Sequence, residues 1–449
     1  MQKGKLKIGY VPLAKKSWLN DNLEKVRKDA LTMLQKSGVE TVCMEGLITD
    51  QSQADELAAV FVRENIDCLL FHHITFSLGA IVPSMIKKTN VPVIFWSMPE
   101  PPMEGGRISS NSFCASNMNA HTLWKMGGKY AYVYDGDGEA KNELESQFKS
   151  LQCVKSLKST RIGLVGNRVP GFFTSNFNEL KMMKVFGVEV EHIDLLELVA
   201  AAGKADLTAA MKEISGLSRV KTNVSDDELE LEARLYCAFK AMREKYHLDA
   251  CAVKCWPELA DFYGIAPCST MGMLTGNGII CGCEGDIYGT LTMIIQNLLT
   301  GETPFFCDLI SLDYKRNEGI VWHCGAASPS LKAGNQQCEL CKHSIVDGGN
   351  KKGVTGEFPL KSGRITLARF SEDKDDNYRL FLAGGQALET GRLLKGNPLK
   401  VKFDFPLKTI ADAIIENGFE HHYSLVHSDL GRELSNICKW LDIKTYNFC

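Results

Sequence analysis

Side chains suited to catalysis or metal binding follow apolar stretches in the second half of the chain. They are Glu284 in CEGDIYG, Asp308 in TPFFCDLISLD and His323 in GIVWHCG. Carboxylates and imidazoles together suit a divalent metal such as Mn²⁺, Co²⁺, Fe²⁺ or Zn²⁺, whereas clusters of cysteine alone would indicate structural zinc or an iron–sulfur centre. The spacing leaves two interpretations open: a metal site, or a set of hydrogen-bonded core residues.

Two further groups carry potential ligands. The segment GFEHHYSLVHSD contains the densest histidine group of the chain, which is His421, His422 and His427. The segment CELCKH sets Cys338, Cys341 and His343 at the spacing of zinc ligands, with Cys324 as the one evident fourth ligand. The alternative for CELCKH is a loop that holds reduced thiols.

The elements that must position these residues follow from hydrophobic periodicity. KLKIGYVPL, VETVCM, DCLLFHH and VPVIFW alternate with helical segments, and RIGLVGNRV, VEVEHIDL and LDACAVKC begin a second such series. This alternation predicts parallel sheets with crossover helices. GIICGC continues the second series as a buried strand, so that Glu284 stands at a carboxyl strand end, where α/β folds place their chemistry. We expect Glu284, Asp308 and His323 on three consecutive strands, with Glu284 and Asp308 on neighbouring ones.

The pattern changes after about residue 345. RITLARFSE, YRLFLAGGQALE and NPLKVKFDF alternate apolar and polar residues between turns, which predicts an antiparallel sheet or small barrel, and HHYSLVHSDLGRELSNICKWL predicts two closing helical segments. The predicted fold class is therefore α/β, with two doubly wound parallel-sheet domains (1–155 and 156–345) followed by a C-terminal antiparallel β-barrel-like domain (346–449).

Composition narrows the class of partner. The chain has 449 residues, 45% of them apolar, and a formal net charge of −3, which is ordinary for a globular protein. No long run of Lys and Arg with interleaved aromatic residues indicates nucleic-acid binding, and no stretch approaches the roughly 20 apolar residues of a membrane span. The first residues lack the apolar core of a signal peptide, so we expect a cytoplasmic protein whose 16 cysteines are reduced thiols.

The order of these motifs resembles the L-fucose isomerase and L-arabinose isomerase family of metal-dependent aldose–ketose isomerases. CEGDIYG, TGETPFFCDLISLD, WHCGAASPSL and GFEHHYSLVH follow one another as in that family, and FPLKSGRITLARF resembles the start of its C-terminal barrel. The resemblance covers most of the chain. It implies trimers or hexamers in which neighbouring subunits complete each site.

The resemblance also implies a ligand set. The glutamate of the acidic-Gly-Asp motif and an acid on the following strand bind the metal and exchange protons with the substrate, and they correspond to Glu284 and Asp308. The metal-binding histidine of the HH pair corresponds to His422, and an additional histidine ligand of the arabinose enzymes corresponds to His323. Arabinose isomerases carry a glutamate where this chain has FFCD, so Asp308 follows the fucose enzymes, which use no ligand at the position of His323.

The implied chemistry suits these residue types. Conversion of an aldose to its ketose through a cis-enediolate moves a proton between C2 and C1, and a bound Mn²⁺ or another divalent metal polarises the two oxygens. Glu284 and Asp308 are assigned as shared ligands and acid/base groups. Trp256 and Glu258, in CWPEL, are candidates for stacking on the sugar and binding a hydroxyl, although a buried strand-end tryptophan is the commoner structural role.

Three further histidines are assigned to substrate binding. His421 is the other member of the HH pair, and His72 and His73 lie in LLFHHITFS, which resembles a motif of arabinose isomerases. The resemblance implies that His72 and His73 reach a neighbouring subunit's site. The alternative is a structural role for these two histidines, as a capping pair or a surface pair.

Three functions compete at this stage. The first is a metal-dependent ketol isomerase acting on a small-molecule aldose. The second keeps the site but changes the substrate to a modified sugar, either sulfonated or deoxy. The third is a non-catalytic sugar-binding protein. The sequence does not resolve the sugar, its stereochemistry or the native metal.

Overall fold

The computed structural model describes residues 4–215, 219–334, 336–345 and 352–449. The chain divides between Lys155 and Ser156 into two compact units. A further division of the second unit at residue 345 stays a prediction, and the segment 346–351 that follows lies outside the described residues. No helix in the described ranges is long and apolar enough to cross a membrane.

The first unit is built on a five-stranded parallel sheet in the order β2-β1-β3-β4-β5. Its strands are β1 Lys7–Leu13, β2 Glu40–Val42, β3 Cys68–His73, β4 Val93–Ser97 and β5 Tyr130–Tyr134. Its helices are α1 Asp21–Lys36, α2 Gln51–Glu64, α3 Ile81–Thr89, α4 Ser112–Lys125 and α5 Ala140–Leu157. The central strands β3 and β4 are buried along their whole length, as expected of parallel strands with helices on both faces.

The second unit begins with a four-stranded parallel sheet in the order β10-β9-β6-β7. Its strands are β6 Arg161–Val165, β7 Glu189–Ile193, β9 Ala250–Val253 and β10 Ile280–Cys283. The helices that follow them are α6 Glu179–Phe186, α7 Leu195–Gly203, α8 Leu207–Ser215, α9 Asp226–Tyr246, α10 Cys268–Gly276 and α11 Ile287–Thr300. The predicted parallel sheets are confirmed.

The C-terminal part of this unit is a closed antiparallel barrel. Six strands follow one another in the order β15-β18-β11-β12-β17-β16, and β16 pairs back with β15 to close the ring. The strands are β11 Phe305–Asp313, β12 Glu318–Trp322, β15 Gly363–Glu372, β16 Tyr378–Ala387, β17 Leu399–Phe403 and β18 His422–Val426. A seventh strand, β19 Lys444–Phe448, adds to β16 in parallel. Two helices, α12 Leu407–Glu416 and α13 Gly431–Leu441, complete this region. The predicted fold class is confirmed.

Three short strands form a separate sheet beside these layers. They are β8 Arg219–Lys221, β13 Cys338–Lys342 and β14 Val354–Glu357, in the order β14-β13-β8. The strand β13 carries the CELCK part of the zinc-like motif.

Two predictions about the barrel were wrong. Glu284 and Asp308 were expected on neighbouring strands of the central parallel-sheet domain, with His323 on the next strand, but Glu284 follows β10 of the parallel sheet, whereas β11 and β12 pair antiparallel in the barrel. Only a short turn joins the two strands, whereas a parallel pair would need a crossover of a dozen or more residues. The HHYSLV segment was expected to be helical, but it forms β18, which is paired on both sides by β11 and β15. Strand pairing therefore overrides the local pattern here.

Helix α11 connects the parallel sheet to the barrel. Its buried Gln296 donates from Nε2 to the backbone oxygens of Thr366 and Ser424, at 3.2 Å each, and accepts a hydrogen bond from Ser424 Oγ at 2.6 Å. Thr292 Oγ1 accepts a hydrogen bond from the backbone N–H of Phe370 at 3.0 Å. These bonds satisfy buried polar groups on both sides and fix α11 against β15 and β18.

Candidate active site

Glu284 is held in an unusual backbone conformation. It follows β10 with φ +59°, and Gly285 follows with φ +68°, so two consecutive residues are left-handed before α11 begins. A Cβ at Gly285 would lie 2.5 Å from the backbone oxygen of Asn167, which requires glycine at this position. A left-handed glutamate is uncommon, and such residues cluster at functional sites. The turn directs the Glu284 side chain into a cavity.

Asp308 and His422 meet because of strand register. Asp308 on β11 lies directly opposite His422 on β18, and on its other side it lies opposite Trp322 on β12. Facing residues of antiparallel strands have their Cβ atoms about 5 Å apart. His422 Nε2 lies 3.8 Å from Asp308 Oδ1.

Glu284 and Asp308 both approach His422 Nε2. His422 Nε2 lies 3.2 Å from Glu284 Oε2. Glu284 Oε2 and Asp308 Oδ1 are both buried, and neither has a hydrogen-bond partner of acceptable geometry among the described residues. His421 Nε2 lies 3.8 Å from Glu284 Oε2, and ligand atoms of Glu284, His421 and His422 all lie within 4.8 Å of one another. Buried carboxylate oxygens without donors, grouped around an imidazole nitrogen, fit a divalent cation.

A second layer of charged residues orients His422. Its Nδ1 lies 3.0 Å from Asp286 Oδ2, which leaves Nε2 as the nitrogen that faces Glu284 and Asp308. Asp286 Oδ2 also accepts a 2.5 Å hydrogen bond from Arg369, whose side chain is fully buried. The other oxygen of Asp286 accepts from the backbone N–H of Gly289 at 2.8 Å and caps α11. A carboxylate behind a histidine in this way is the usual support of a metal ligand.

The pKa shifts follow from these contacts. Burial alone would raise the pKa of Glu284, but contacts with His421, His422 and Trp256 hold it well below its ordinary value. Burial would likewise raise the pKa of Asp286, which the charge of Arg369 and the contact with His422 lower. Burial would lower the pKa of His422, but contacts with Asp286 and Glu284 raise it to about 9. Without a metal, Glu284 and Asp286 are therefore ionised beside a protonated His422.

Trp256 holds the remaining oxygen of Glu284. Its indole Nε1 donates to Glu284 Oε1 at 2.9 Å, which leaves Oε2 directed toward His422. The indole also packs edge to face against Phe172, with ring centroids 5.7 Å apart. The prediction placed Trp256 against a sugar; the structure shows a direct contact with the acid, and contact with a sugar stays a prediction.

These residues line one cavity of about 530 Å³. Its wall includes Phe172, Trp256, Glu284, Asp308, Trp322 and His422. The volume falls within the range of small-molecule sites, and the wall combines aromatic faces with a few convergent polar groups. The cavity is therefore the candidate active site.

Comparison with known proteins identifies the family. The family described as "Fucose/sulfoquinovose isomerase, N-terminal domain" matches residues 9–158. A sulfoquinovose isomerase from Alkalicoccus urumqiensis is 30% identical over 438 residues, covering 96% of this chain and 97% of that protein. The chain belongs to the fucose/sulfoquinovose isomerase family. It is an aldose–ketose isomerase, as the resemblance implied.

Other comparisons extend this result. Sulfoquinovose isomerases from Priestia aryabhattai and Clostridium sp. are 28% and 25% identical, and each alignment covers 97% of this chain and 98% of the relative. A periplasmic solute-binding protein from Actinobacillus succinogenes 130z, solved with D-allose, covers 65% of this chain and 92% of its own at 11% identity and a TM-score of 0.18. A likeness at that level supports neither a shared fold nor a shared function.

His323 lies in the cavity wall of this isomerase beside the acids. Its ring centroid is 6.5 Å from that of His422 and 5.8 Å from that of Phe306. Its Nδ1 lies 3.4 Å from Cys324 Sγ. The group of potential ligands around Glu284 does not include His323, and a role as metal ligand stays a prediction.

His72 and His73 lie in the first unit and are fully buried there. His72 Nδ1 lies 2.9 Å from the hydroxyl of Tyr10, and its ring stacks on Trp96 at 3.8 Å. His73 Nδ1 lies 2.9 Å from Ser116 Oγ. Burial lowers the pKa of both histidines to about 3, so both are neutral. They are neither a surface pair nor a cap, and their contact with a substrate stays a prediction.

Glu258 is occupied by another partner. Its Oε1 lies 2.5 Å from Lys254 Nζ, and Glu258 is not among the described residues that line the cavity. The predicted contact with a sugar hydroxyl stays a prediction.

Sequence reasoning missed two supporting residues. Asp286 stood inside the quoted CEGDIYG motif, yet no role was assigned to it. Arg369 lies on the same face of β15 as Ile365 and Leu367. A charged residue at a position where the alternation predicts an apolar one was the signal in the sequence. The CELCKH prediction also needs correction, because His343 groups with Cys268 and Cys324 rather than with Cys338 and Cys341.

Proposed function

We propose that the protein interconverts a sulfonated aldohexose and its ketose, and that the aldose is sulfoquinovose, a hexose that carries a sulfonate at C6. The carrying observation is the full-length similarity to sulfoquinovose isomerases, at 25–30% identity, combined with the convergence of Glu284, Asp308 and His422 in one cavity. The alignments cover the segments that supply all three of these residues.

The proposal includes a divalent metal, for which Mn²⁺ is the first choice. Glu284 Oε2, Asp308 Oδ1 and His422 Nε2 would hold it, with His421 as an adjacent nitrogen. When bound, such an ion supplies Lewis-acid polarisation of the two sugar oxygens at C1 and C2. Three acids, Glu284, Asp286 and Asp308, lie in this part of the site, against two basic residues, His422 and Arg369. The excess of negative charge favours a cation.

The chain's own side chains would carry the proton transfer. Glu284 and Asp308 approach the cavity from different elements, a left-handed turn and a barrel strand, so they can reach opposite faces of a planar enediolate. One carboxylate accepts the C2 proton and the other group returns a proton at C1. Trp256 keeps Glu284 in one orientation, and the Asp286 contact keeps His422 in one tautomer, so Glu284 and His422 act from fixed positions.

Recognition of a sulfonate needs a cation near the cavity. None of the described residues that line it is Lys or Arg. Arg168 lies in the loop after β6. In that loop Phe172 lines the cavity, Thr174 Oγ1 lies 3.4 Å from His421 Nδ1, and the backbone of Arg168 packs against Gly285. Arg168 stacks on Phe173 at 4.8 Å and makes no ion pair with a described residue. We assign Arg168 to the sulfonate, because a guanidinium binds tetrahedral anions in a bidentate manner.

A plain aldose is the second candidate. The observation that favours it is the cavity wall itself, which within the described residues offers aromatic, thiol, acidic and imidazole groups but no Lys or Arg. A neutral sugar would need no charge partner there.

Proton NMR in D₂O separates the two candidates. Protein loaded with Mn²⁺ is incubated with sulfoquinovose, D-glucose and L-fucose in parallel, and the C2 proton signal of each aldose is followed. We expect loss of that signal and growth of ketose resonances for sulfoquinovose, with far slower change for the two neutral sugars. Glu284→Gln, loaded and folded, should be inactive on all three. Faster turnover of a neutral sugar would overturn the assignment of substrate, and turnover of any sugar by Glu284→Gln would overturn the assignment of the acid.

The family resemblance also leads us to propose a homo-oligomer, a trimer or hexamer. Sedimentation velocity of the full chain at micromolar concentration tests it, and a monomer would contradict it. The cytoplasmic location stays a prediction.

A further inference from the structure

Thiols form an unexpected share of the cavity wall. Cys255, Cys268, Cys283 and Cys324 all line it, and they form two close pairs. Sγ of Cys255 lies 3.1 Å from that of Cys283, and Sγ of Cys268 lies 3.6 Å from that of Cys324. The proposed isomerase chemistry uses none of them.

Within the described part of the chain, one of the pairs has a third potential ligand nearby. His343 lies beside Cys268 and Cys324, and one ligand atom from each of the three residues lies within 4.8 Å of the others. For the Cys255 and Cys283 pair, no such third ligand occurs among the described residues. Cys268 begins α10, Cys324 follows β12 and His343 follows β13, so three separate segments converge.

The separation of the thiols matches the requirement of a tetrahedral ion. With a Zn–S distance of about 2.3 Å, two sulfurs on a tetrahedron lie roughly 3.8 Å apart. The observed 3.6 Å is close to that value. Cys268 and His343 are buried and Cys324 is half-buried, so the trio is shielded yet faces a cavity through which an ion can enter.

We propose that Cys268, Cys324 and His343 form a second metal site, selective for a thiophilic ion such as Zn²⁺ or Cd²⁺. Thiolate and imidazole ligands select these ions, whereas the Glu284, Asp308 and His422 group offers mainly oxygen and suits Mn²⁺. The two sites therefore discriminate between metals by ligand type within one cavity.

The remaining coordination comes from nearby groups. His343 Nδ1 accepts a hydrogen bond from the backbone N–H of Ile345 at 3.1 Å, which assigns the proton of the neutral ring to Nε2. When a metal binds Nε2, the ring proton moves to Nδ1. The hydrogen bond from Ile345 is then lost, and the metal bond replaces it. A fourth ligand is water or His323, whose Nδ1 lies 3.4 Å from Cys324 Sγ.

Occupation of this site has a consequence for activity. The trio lines the same cavity as Glu284 and Asp308, so an ion bound there takes space from the sugar and engages the residue next to His323. The site is therefore inhibitory. This consequence rests on the proposed isomerase function, whereas binding of the ion does not.

Titration of the reduced, Mn²⁺-loaded full chain with Cd²⁺ tests the site. We expect ultraviolet Cd–thiolate charge-transfer absorption that saturates at one added ion per chain, with the bound Mn²⁺ retained in elemental analysis. Cys268→Ser and Cys324→Ser should each reduce the absorption strongly, and His343→Gln should weaken Cd²⁺ binding by roughly tenfold or more. The matched control is Cys341→Ser, which alters a neighbouring thiol on β13 and should leave the absorption at its full value.

Each outcome decides the proposal. Full absorption in Cys324→Ser overturns the site, and so does loss of absorption in Cys341→Ser, because the CELC spacing would then supply the ligands. If circular dichroism shows that a serine variant does not fold, the Cd²⁺ affinity of His343→Gln decides whether the site exists. Inhibition is read separately, as loss of sugar turnover by Cd²⁺ in wild type that Cys268→Ser relieves. Turnover that is absent before Cd²⁺ is added contradicts the proposed function and leaves the absorption result intact.

Discussion

His422 Nδ1 and Asp286 Oδ2 lie 3.0 Å apart, both buried, with Arg369 on the far side of the carboxylate. This chain of contacts fixes which imidazole nitrogen faces Glu284 and Asp308. We expect Asp286→Asn to lower Mn²⁺ affinity by about 10- to 100-fold, the usual effect of removing a supporting carboxylate. Isothermal titration calorimetry measures it. Asp313→Asn, on the same strand as Asp308 but at its exposed end, is the control; equal affinity of Asp286→Asn and wild type would contradict the supporting role.

Arg369 forms a buried ion pair with Asp286. Replacement by Met keeps much of the side chain's length but removes the guanidinium and leaves His422 as the remaining partner of the buried carboxylate, which costs about 3 kcal/mol of the free energy of unfolding. Urea denaturation measures the change. Lys408→Met removes an exposed ion pair with Asp412 on α12 and should leave the denaturation midpoint in place. An Arg369→Met variant as stable as wild type would show that Asp286 does not depend on the guanidinium for its stability in the fold.

Metal binding should strengthen as the pH rises. The pKa of His422 is raised to about 9 in the metal-free protein, above its ordinary value near 6.5. A metal needs the lone pair of Nε2, so below pH 9 it must displace a proton, and its apparent affinity falls by up to about tenfold for each pH unit below that value. The same shift stabilises the metal-free fold fully below pH 6.5, and this contribution is lost as the pH rises through about 9.

Calorimetry at several pH values checks this dependence. Mn²⁺ titrations between about pH 6.5 and 8.5 should show a steadily rising affinity, and buffers of different ionisation enthalpy should report release of close to one proton at neutral pH. An affinity that stays constant across this range, with no proton released, would show that His422 is already neutral.

The sequence predicted the elements better than their assembly. The apolar runs that form β1, β3 and β4 were recognised because buried parallel strands are continuous hydrophobic segments. Asp308 and His422 could not be paired from the sequence, because their contact depends on the register of β11 with β18, and the second of these strands was expected to be helical. Local pattern does not encode which distant strand becomes the neighbour.

The same limit applied to individual side chains. Glu284 and Asp308 were found from their motifs, but the hydrogen bond from Trp256 to Glu284 was not, because it joins the ends of β9 and β10 through side-chain geometry. Cys268 was missed entirely, since nothing in its sequence neighbourhood indicates a ligand, and it joins Cys324 and His343 only in the fold. Spacing along the chain finds ligands that share one segment and overlooks those from different ones.

Trp256→Phe isolates the hydrogen bond to Glu284. The ring is kept, but the carboxylate loses the donor that fixes Oε1, and hydrogen bonds to charged groups contribute about 1.5–3 kcal/mol. We expect a fall in kcat of roughly 10- to 100-fold at full metal loading. Trp322→Phe is the matched control, because Trp322 also lines the cavity but donates to the backbone oxygen of Lys395 at 2.6 Å. Equal losses in the two variants would mean that cavity shape, rather than the contact with Glu284, governs the rate.

Arg168→Met tests the assignment of the sulfonate group. Methionine keeps the packing on Phe173 but removes the cation, so KM for sulfoquinovose should rise by about tenfold or more while kcat changes little. Steady-state kinetics on sulfoquinovose measure both, and metal content and circular dichroism establish that the site and fold are intact. Arg168→Lys should recover part of the loss, because it restores the charge without the bidentate geometry. If Arg168→Met binds sulfoquinovose as wild type does, the sulfonate is recognised elsewhere and Arg168 has only a structural role in the loop.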